Sequence, residues 1–496
     1  MPLRPALALS LLLLAPARAD DPAAFAVDPD APRQTIRGWG VSLCWWAHLA
    51  GDWPAEDIER VADLLAVDLG YNVFRFNVGG GENPSCPFGT DHFRRDGGLM
   101  PGYRAEQADQ TGWGLADPAA DSHQIAVLDA LARKQPAAIT VLFSNSPPWW
   151  MTRSRCAAGA ADGRANLLPD FEDDFADYLA SAAEVLHDRN PAWNIRHLEP
   201  FNEPLSGWWK AGGKQEGCHV PIPQQAAVLT KLAERLRTRP VPGLTLVAAD
   251  CSEVAETRRV LAALRHEHPA ALGVLAGIHT HSYHGDAAEK RALAAETAAV
   301  GLPLWQSETG PLSWEPKDGK SWWHRHYHIA DRLVEDLREL RSEVWCDWQF
   351  ISTDDAWGLL RFTDFKENDP ASSRGYVKTR SYFLRKQVVN FITPGFRILL
   401  TGEDHTVGAL SPDGKRLVVL VANPGAEIAK HRFDLSRFPS PFTTRAYRTA
   451  GPEGGETLAE PASDAFALDG RILGCAAPAY SLTTLIIDFH PNVRAE

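Results

Sequence analysis

Between about Gly38 and Gln349 the chain alternates short apolar runs with helical patterns eight times over, a rhythm that few folds accept. The first helix shows the pattern. Pro54-Ala55-Glu56-Asp57 opens it with acidic residues in the first turn, Ile58, Val61, Leu65 and Leu69 recur at helical spacing, and Gly70 ends it. Val73-Phe74-Arg75-Phe76-Asn77-Val78 follows directly as a strand and stops at three glycines. The eight expected strands are 38–42, 73–78, 139–144, 195–201, 244–250, 277–282, 303–308 and 344–349, with helices such as 170–187 and 224–236 between them. Strands alternating with helices in this number predict an α/β fold, a (β/α)8 TIM barrel. A doubly wound sheet is the alternative, weakened because no GxGxxG or phosphate-loop pattern follows any of these strands. No cofactor is expected.

After about Pro394 the texture changes to short alternating runs at 397–401, 406–410, 417–421, 443–447 and 482–488. Turn signals separate them, notably Ser411-Pro412-Asp413-Gly414 and Gly451-Pro452-Glu453-Gly454-Gly455. This predicts an all-β sandwich over 394–496, following a catalytic barrel over 37–393. The segment 20–36 is expected to pack with the sandwich, and 1–19 reads as a signal peptide. Arg4 supplies its basic start, residues 6–14 its apolar run, and Ala17-Arg18-Ala19 a small-x-small cleavage pattern before Asp20. A secreted or periplasmic protein follows, with no membrane insertion, since no stretch reaches about 18 uninterrupted apolar residues.

Seven cysteines include no CxxC pair, which argues against zinc-ribbon and thioredoxin readings. An oxidising compartment allows disulfides. Cys156–Cys218 is the preferred pair, because both residues fall in loops expected at one mouth of the barrel. A net charge of -13 excludes a nucleic-acid footprint for the chain as a whole. Seventeen tryptophans against nine tyrosines suit stacking on the C–H faces of sugars, since each buried indole N–H needs a partner.

A barrel enzyme carries its reactive groups at the C-terminal ends of its strands. Two acidic residues stand out there: Glu203, after Ile195-Arg196-His197-Leu198-Glu199-Pro200-Phe201-Asn202, and Glu308, after Leu304-Trp305-Gln306-Ser307. They end strands four and seven, from which both side chains reach one cleft. Alone, Asn-Glu-Pro merely ends an element and Ser-Glu-Thr merely opens a helix. Together they supply what glycosidic cleavage requires, one carboxylic acid to protonate the leaving oxygen and one carboxylate to attack the anomeric carbon.

With these motifs the chain resembles glycoside hydrolase family 30. The resemblance runs through Gly38-Trp39-Gly40-Val41-Ser42-Leu43-Cys44-Trp45-Trp46-Ala47, Phe74-Arg75-Phe76-Asn77-Val78-Gly79-Gly80-Gly81, Ser144-Asn145-Ser146-Pro147-Pro148-Trp149-Trp150-Met151-Thr152, Pro200-Phe201-Asn202-Glu203-Pro204, Trp305-Gln306-Ser307-Glu308-Thr309-Gly310 and Ser481-Leu482-Thr483-Thr484. Within the family the run from Trp208 to Cys218 is most similar to the endo-β-1,6-galactanase branch. The resemblance implies a retaining hydrolase with Glu203 as acid/base and Glu308 as nucleophile, acting on β-1,6-linked galactan such as arabinogalactan side chains. It further implies that Asn202 bonds the sugar 2-hydroxyl and that Trp149 and Trp348 wall the subsite of the cleaved sugar. Trp46, Asn77, His281 and Tyr283 become pocket residues, and Arg75 a rim charge that keeps Glu308 ionised. Trp208, Trp209, Gln215 and Glu216 become subsite residues in the loop after Glu203.

Other specificities within the family stay open: β-1,6-glucan, glucosylceramide, glucuronoxylan and β-xyloside. Glucuronoxylan would want a basic patch, for which Lys210 and Lys214 are candidates. From a different class, His279-Thr280-His281-Ser282-Tyr283-His284 has a metal-ligand spacing and would suit a metal-dependent hydrolase using His279, His281 and His284. No metal is expected, because Tyr283 stands where that motif needs an acid. A Ser-His-Asp hydrolase lacks its Gly-x-Ser-x-Gly elbow, and a purely sugar-binding module has no use for both glutamates.

Overall fold

The computed structural model describes residues 22–490, except 82, 90, 96, 105–116, 118, 312–321, 355–356 and 453–465. The expected signal peptide and part of the turn at 451–455 lie outside the described residues.

Eight parallel strands close into a barrel: β1 Gly38–Ser42, β2 Val73–Asn77, β3 Ile139–Phe143, β4 Ile195–Glu199, β5 Thr245–Glu253, β6 Leu275–His284, β7 Leu304–Thr309 and β8 Val344–Asp347. Every expected strand forms, and none starts more than two residues from its expected position. Strand β4 stops earlier than expected because Pro200 cannot donate to the ladder.

The helices that follow them are α1 Ala55–Ala62, α2 Ser122–Lys134, α3 Glu172–Arg189, α4 Ile222–Thr238, α5 Val254–His266, α6 Ala287–Ala299, α7 Arg325–Glu335 and α8 Arg380–Val389. Some of their ends follow the charge rules of the helix dipole. Helix α3 begins Glu172-Asp173-Asp174 and carries His187 and Arg189 in its last turn. In α6, Asp286 and Glu289 close a reciprocal capping box.

Among the described residues, the C-terminal strands form two sheets. One has five strands: Arg397–Leu399, Thr406–Leu410, Arg416–Asn423, Ser481–Phe489 and Phe442–Ala450. The other has four and includes the short strand Phe25–Ala26, which pairs in parallel with Ala429–Asp434. The run Arg416–Asn423 is apolar almost throughout because both of its faces are covered. Val418 and Leu420 join the core shared with the barrel, whereas Leu417, Val419 and Val421 join Phe433, Leu473 and Leu485 between the two sheets. The period of two assigns alternate residues to different cores. Each fully buried aliphatic side chain of this kind contributes roughly 1.5–3 kcal/mol. Gln387 of α8 fastens the sheet to the barrel, donating to the Leu482 carbonyl at 2.8 Å and accepting from Thr449 Oγ1 at 2.6 Å. No helix among the described residues is long and apolar enough to cross a membrane.

All seven cysteines are free thiols. The expected Cys156–Cys218 pair is therefore corrected. The Cys218 thiol faces the backbone of Asn166 and Leu167, while Cys156 keeps company with Cys86 and His92.

Candidate active site

The barrel interior changes character toward the C-terminal ends of its strands. Lower down, His279 stacks on Trp305 at 4.9 Å, and burial pushes the His197 and His279 imidazoles down to about 3, so both are neutral. Above them sits a buried layer of ionisable groups, Arg75, Glu199, Asp250 and His281, none more than 1% exposed. Such a layer is costly unless each member is paired, and here each is.

Glu203 lies just beyond β4, where the chain turns with φ +48. Its N–H donates to the Asp250 carbonyl at 2.7 Å, and its own carbonyl accepts from Trp209 Nε1 at 2.8 Å. Asp250 is itself left-handed, at φ +53. Two residues holding sparsely populated backbone and bonded to each other are a feature that concentrates at functional sites. On the opposite wall, Thr280 pairs with Gln306 but His281 pairs with Glu308, so Ser307 is the extra residue of a bulge in β7. The bulge re-aims the strand. Ser307 Oγ turns to Asp250, and Glu308 faces the cleft.

One oxygen of Glu203, one oxygen of Glu308 and a ring nitrogen of His281 lie within 4.8 Å of one another. Glu308 Oε2 accepts from Arg75 Nη1 at 2.6 Å, and its Oε1 accepts from Tyr283 Oη at 3.0 Å. His281 Nδ1 is 3.1 Å from Glu203 Oε1, and its Nε2 is 3.0 Å from Asp250 Oδ1. Both nitrogens thus face acidic oxygens, the arrangement of an imidazolium. Although burial opposes its charge, Glu308 and Asp250 hold the His281 proton well above the ordinary histidine range.

Burial, the largest influence on Glu203, raises its carboxyl above the usual range; His281 works against that rise and Glu308 adds to it. Asp250 goes the other way. Despite burial, Arg75 and then His281 hold it far below the usual range. Glu199 is pushed well up by burial and by the Asp250 charge, and so stays neutral. The layer therefore separates one acidic oxygen that keeps its proton, at Glu203, from a partner carboxyl gripped by Arg75 and Tyr283.

The cleft above this layer encloses about 490 Å³. Of the residues singled out from sequence, Asn202, Glu203, Trp208, Trp209, Gln215, Tyr283, Glu308 and Trp348 line it. Trp208 is 52% exposed, an indole open to stacking. His281 lies directly beneath. Five expectations are corrected. Trp46, Asn77 and Glu216 are at most 1% exposed and present nothing to the cleft. Trp46 opens a short helix and its indole bonds the Ser42 carbonyl; Glu216 folds under the loop to accept from Asn77 and Gly80. Trp149 lies outside the lining, its ring covered by the Arg155 guanidinium at 4.6 Å.

Arg75 is not a rim charge either, because it acts from inside the barrel, under Phe143. The residues missed are Trp45, which meets Trp348 edge-on at 5.0 Å, Asn145 and Trp357 on the walls, and Asp250 beneath. Lys214 reaches the cleft, and Lys210 does not. The three histidines of the motif do not converge on one point. His279 faces Glu199, both nitrogens of His281 are engaged, and His284 opens on the cleft rim.

Gly217 shows how closely the loop after Glu203 is fitted. A Cβ there would come within 2.1 Å of the Trp209 ring, whose N–H holds the Glu203 carbonyl. Gly217→Ala is expected to destabilise by about 1–3 kcal/mol through overpacking and to lower kcat/KM by displacing that indole. Thermal unfolding and steady-state assay of the variant check both effects, and unchanged kcat/KM would show that Trp209 does not position Glu203.

Known proteins resemble this chain in sequence and in fold. Residues 22–255 match the profile described as O-Glycosyl hydrolase family 30. An endo-β-1,6-galactanase of Hypocrea rufa is 29% identical over 91% of this chain and 88% of its own length. An exo-β-1,6-galactobiohydrolase of Bifidobacterium longum is 22% identical over 84% of this chain but 36% of its own. Among solved structures, a conserved exported protein from Bacteroides fragilis shares the fold at a TM-score of 0.76, with 17% identity, covering 94% of this chain and 100% of that one.

Proposed function

We propose that the chain, which is similar to O-Glycosyl hydrolase family 30 over residues 22–255 and to an endo-β-1,6-galactanase over 91% of its length, is a glycoside hydrolase of that family that cleaves β-1,6-linked galactan outside the cell with retention of configuration. Glu308 attacks the anomeric carbon and forms a glycosyl-enzyme while Glu203 protonates the departing oxygen; Glu203 then takes a proton from water, which releases the sugar. The observation that carries this reading is the approach of the two carboxyl groups, with oxygens within 4.8 Å across the cleft. A spacing of about 5–5.5 Å suits direct attack, whereas an intervening water needs about 6.5–9.5 Å. The galactan reading rests on the two relatives named for β-1,6-galactose linkages and on the loop carrying Trp208, Trp209 and Gln215. Export rests on the leader at 1–19.

Incubation with β-1,6-galactan, β-1,6-glucan and glucuronoxylan, followed by product sizing and NMR of the first-formed anomer, tests the proposal. Short galacto-oligosaccharides born as the β-anomer are expected. An α-anomer would remove the double displacement. Cleavage of another glycan alone would remove the specificity and leave the mechanism. The glucuronoxylan arm is informative because Lys214 and Arg94 stand in the cleft wall. The raised Glu203 carboxyl also gives a sign. Its acid form is the active one in the first step, so kcat/KM falls as pH rises through its titration.

A further inference from the structure

Away from the cleft, three side chains with no part in this scheme converge. Cys86 and His92 belong to the loop after β2 and Cys156 to the loop after β3. The two sulfurs and a ring nitrogen of His92 lie within 4.8 Å of one another, and the sulfurs are not joined. His92 Nε2 faces Cys156 Sγ at 3.9 Å. Its Nδ1 lies 2.6 Å from the Gly213 carbonyl. A carbonyl only accepts, so Nδ1 carries a hydrogen and Nε2 is the nitrogen turned toward the sulfurs. The backbone N–H groups of Ala158 and Gly212 also point at the Cys156 sulfur.

Two thiols and an imidazole anchored through its far nitrogen are a donor set for a thiophilic cation, with the anchoring carbonyl and amides supplying the outer shell that such sites use. Tetrahedral zinc, bonded at about 2.3 Å to sulfur and about 2.0–2.1 Å to nitrogen, sets its ligands about 3.5–3.8 Å apart. The present spread, within 4.8 Å, needs a contraction of about 1.3 Å at most.

We propose that Cys86, His92 and Cys156 hold a zinc ion, with water in the fourth position and the two thiol protons released to solvent. The ion braces the cleft wall. Through His92 it fixes Gly213, next to Lys214 and Gln215. The same strap is held by Arg94 N–H to the Lys214 carbonyl at 2.8 Å and by Gly217 N–H to the Ala157 carbonyl at 2.9 Å.

The test uses the full chain, loaded with zinc and freed of excess by gel filtration. One equivalent of zinc is expected by mass spectrometry, with retention at least tenfold weaker in Cys156→Ser and unchanged in Glu308→Gln. The latter variant separates this site from the Glu203–His281–Glu308 cluster. Cobalt loading of the unaltered chain needs no variant and is expected to give a thiolate-to-cobalt charge-transfer band. Chelation should lower the melting temperature of the parent and leave that of Cys156→Ser in place. A chain that retains no zinc, equal retention by Cys156→Ser, or peptide mapping that finds Cys86 joined to Cys156 would overturn the proposal.

Discussion

Glu308→Gln is expected to lose activity by a factor on the order of 10⁴ or more in kcat, about 5–6 kcal/mol of barrier, with little change in KM. The amide keeps the size of the side chain, so the cleft and its indoles stay in place. What disappears is the attacking oxygen and its charge. In the parent, Arg75 donates to one Glu308 oxygen at 2.6 Å and Tyr283 to the other at 3.0 Å. An amide can accept from only one of them through its oxygen and must turn a donor toward the other, so the position of the side chain is disturbed as well as its chemistry. Because attack occurs only on the way to the transition state, kcat falls while substrate binding survives. A Glu308→Gly variant supplies the complementary measurement. On a glycoside with a good leaving group, added azide should restore turnover and give the α-glycosyl azide, the product of one displacement instead of two. A glutamine variant with more than a few per cent of parental kcat would sink the assignment.

The barrel and its two glutamates could be read from sequence because each rests on a local signal. Strand runs and helical spacings are periodic, and the residue that ends a strand is placed by the barrel itself. Beyond the strand ends that logic stops. Trp45 and Trp46 follow β1 in a turn, where alternation no longer assigns a side, and the wall indole is Trp45 while Trp46 is buried against Ser42. Glu216 sits in a loop of cleft residues, yet its side chain folds inward to cap Asn77 and Gly80, a long-range partnership with no sequence signature. The cluster of Cys86, His92 and Cys156 depends likewise on where two loops meet. Asp250 differs from these. It closes the apolar run of the fifth expected strand just as Glu308 closes the seventh, so the same rule could have selected it. The structure gives it a positioning task, because it bonds the partners of both glutamates.

That task predicts the second large effect. Asp250→Asn is expected to lower kcat on the order of 10²–10³-fold, the scale of losing one preorganised hydrogen bond at a reacting anion. Asp250 touches no substrate. Its Oδ2 accepts from Arg75 at 2.6 Å, its Oδ1 meets His281 Nε2 at 3.0 Å and the Ser307 hydroxyl, and its backbone carbonyl holds the Glu203 N–H. All three side-chain partners are donors. Asparagine, whichever way it turns, points an NH2 group at one of them and removes the charge that both cations share. The layer is fully buried, so no water repairs the loss. The consequence for protonation has a definite sign. Asp250 is one of two carboxylates that keep the proton on His281. Without its charge the imidazolium titrates at lower pH, and a neutral ring can offer a hydrogen to only one of Glu203 and residue 250. Nitrogen-15 spectra of His281 should therefore show a doubly protonated ring across neutral pH in the parent, and a neutral tautomer in the variant over the same range. A purely structural role would not move that signal. Parental kcat, or an imidazole spectrum identical in the two proteins, would refute the role of Asp250 as the residue that positions Arg75 and His281 beneath the reacting pair.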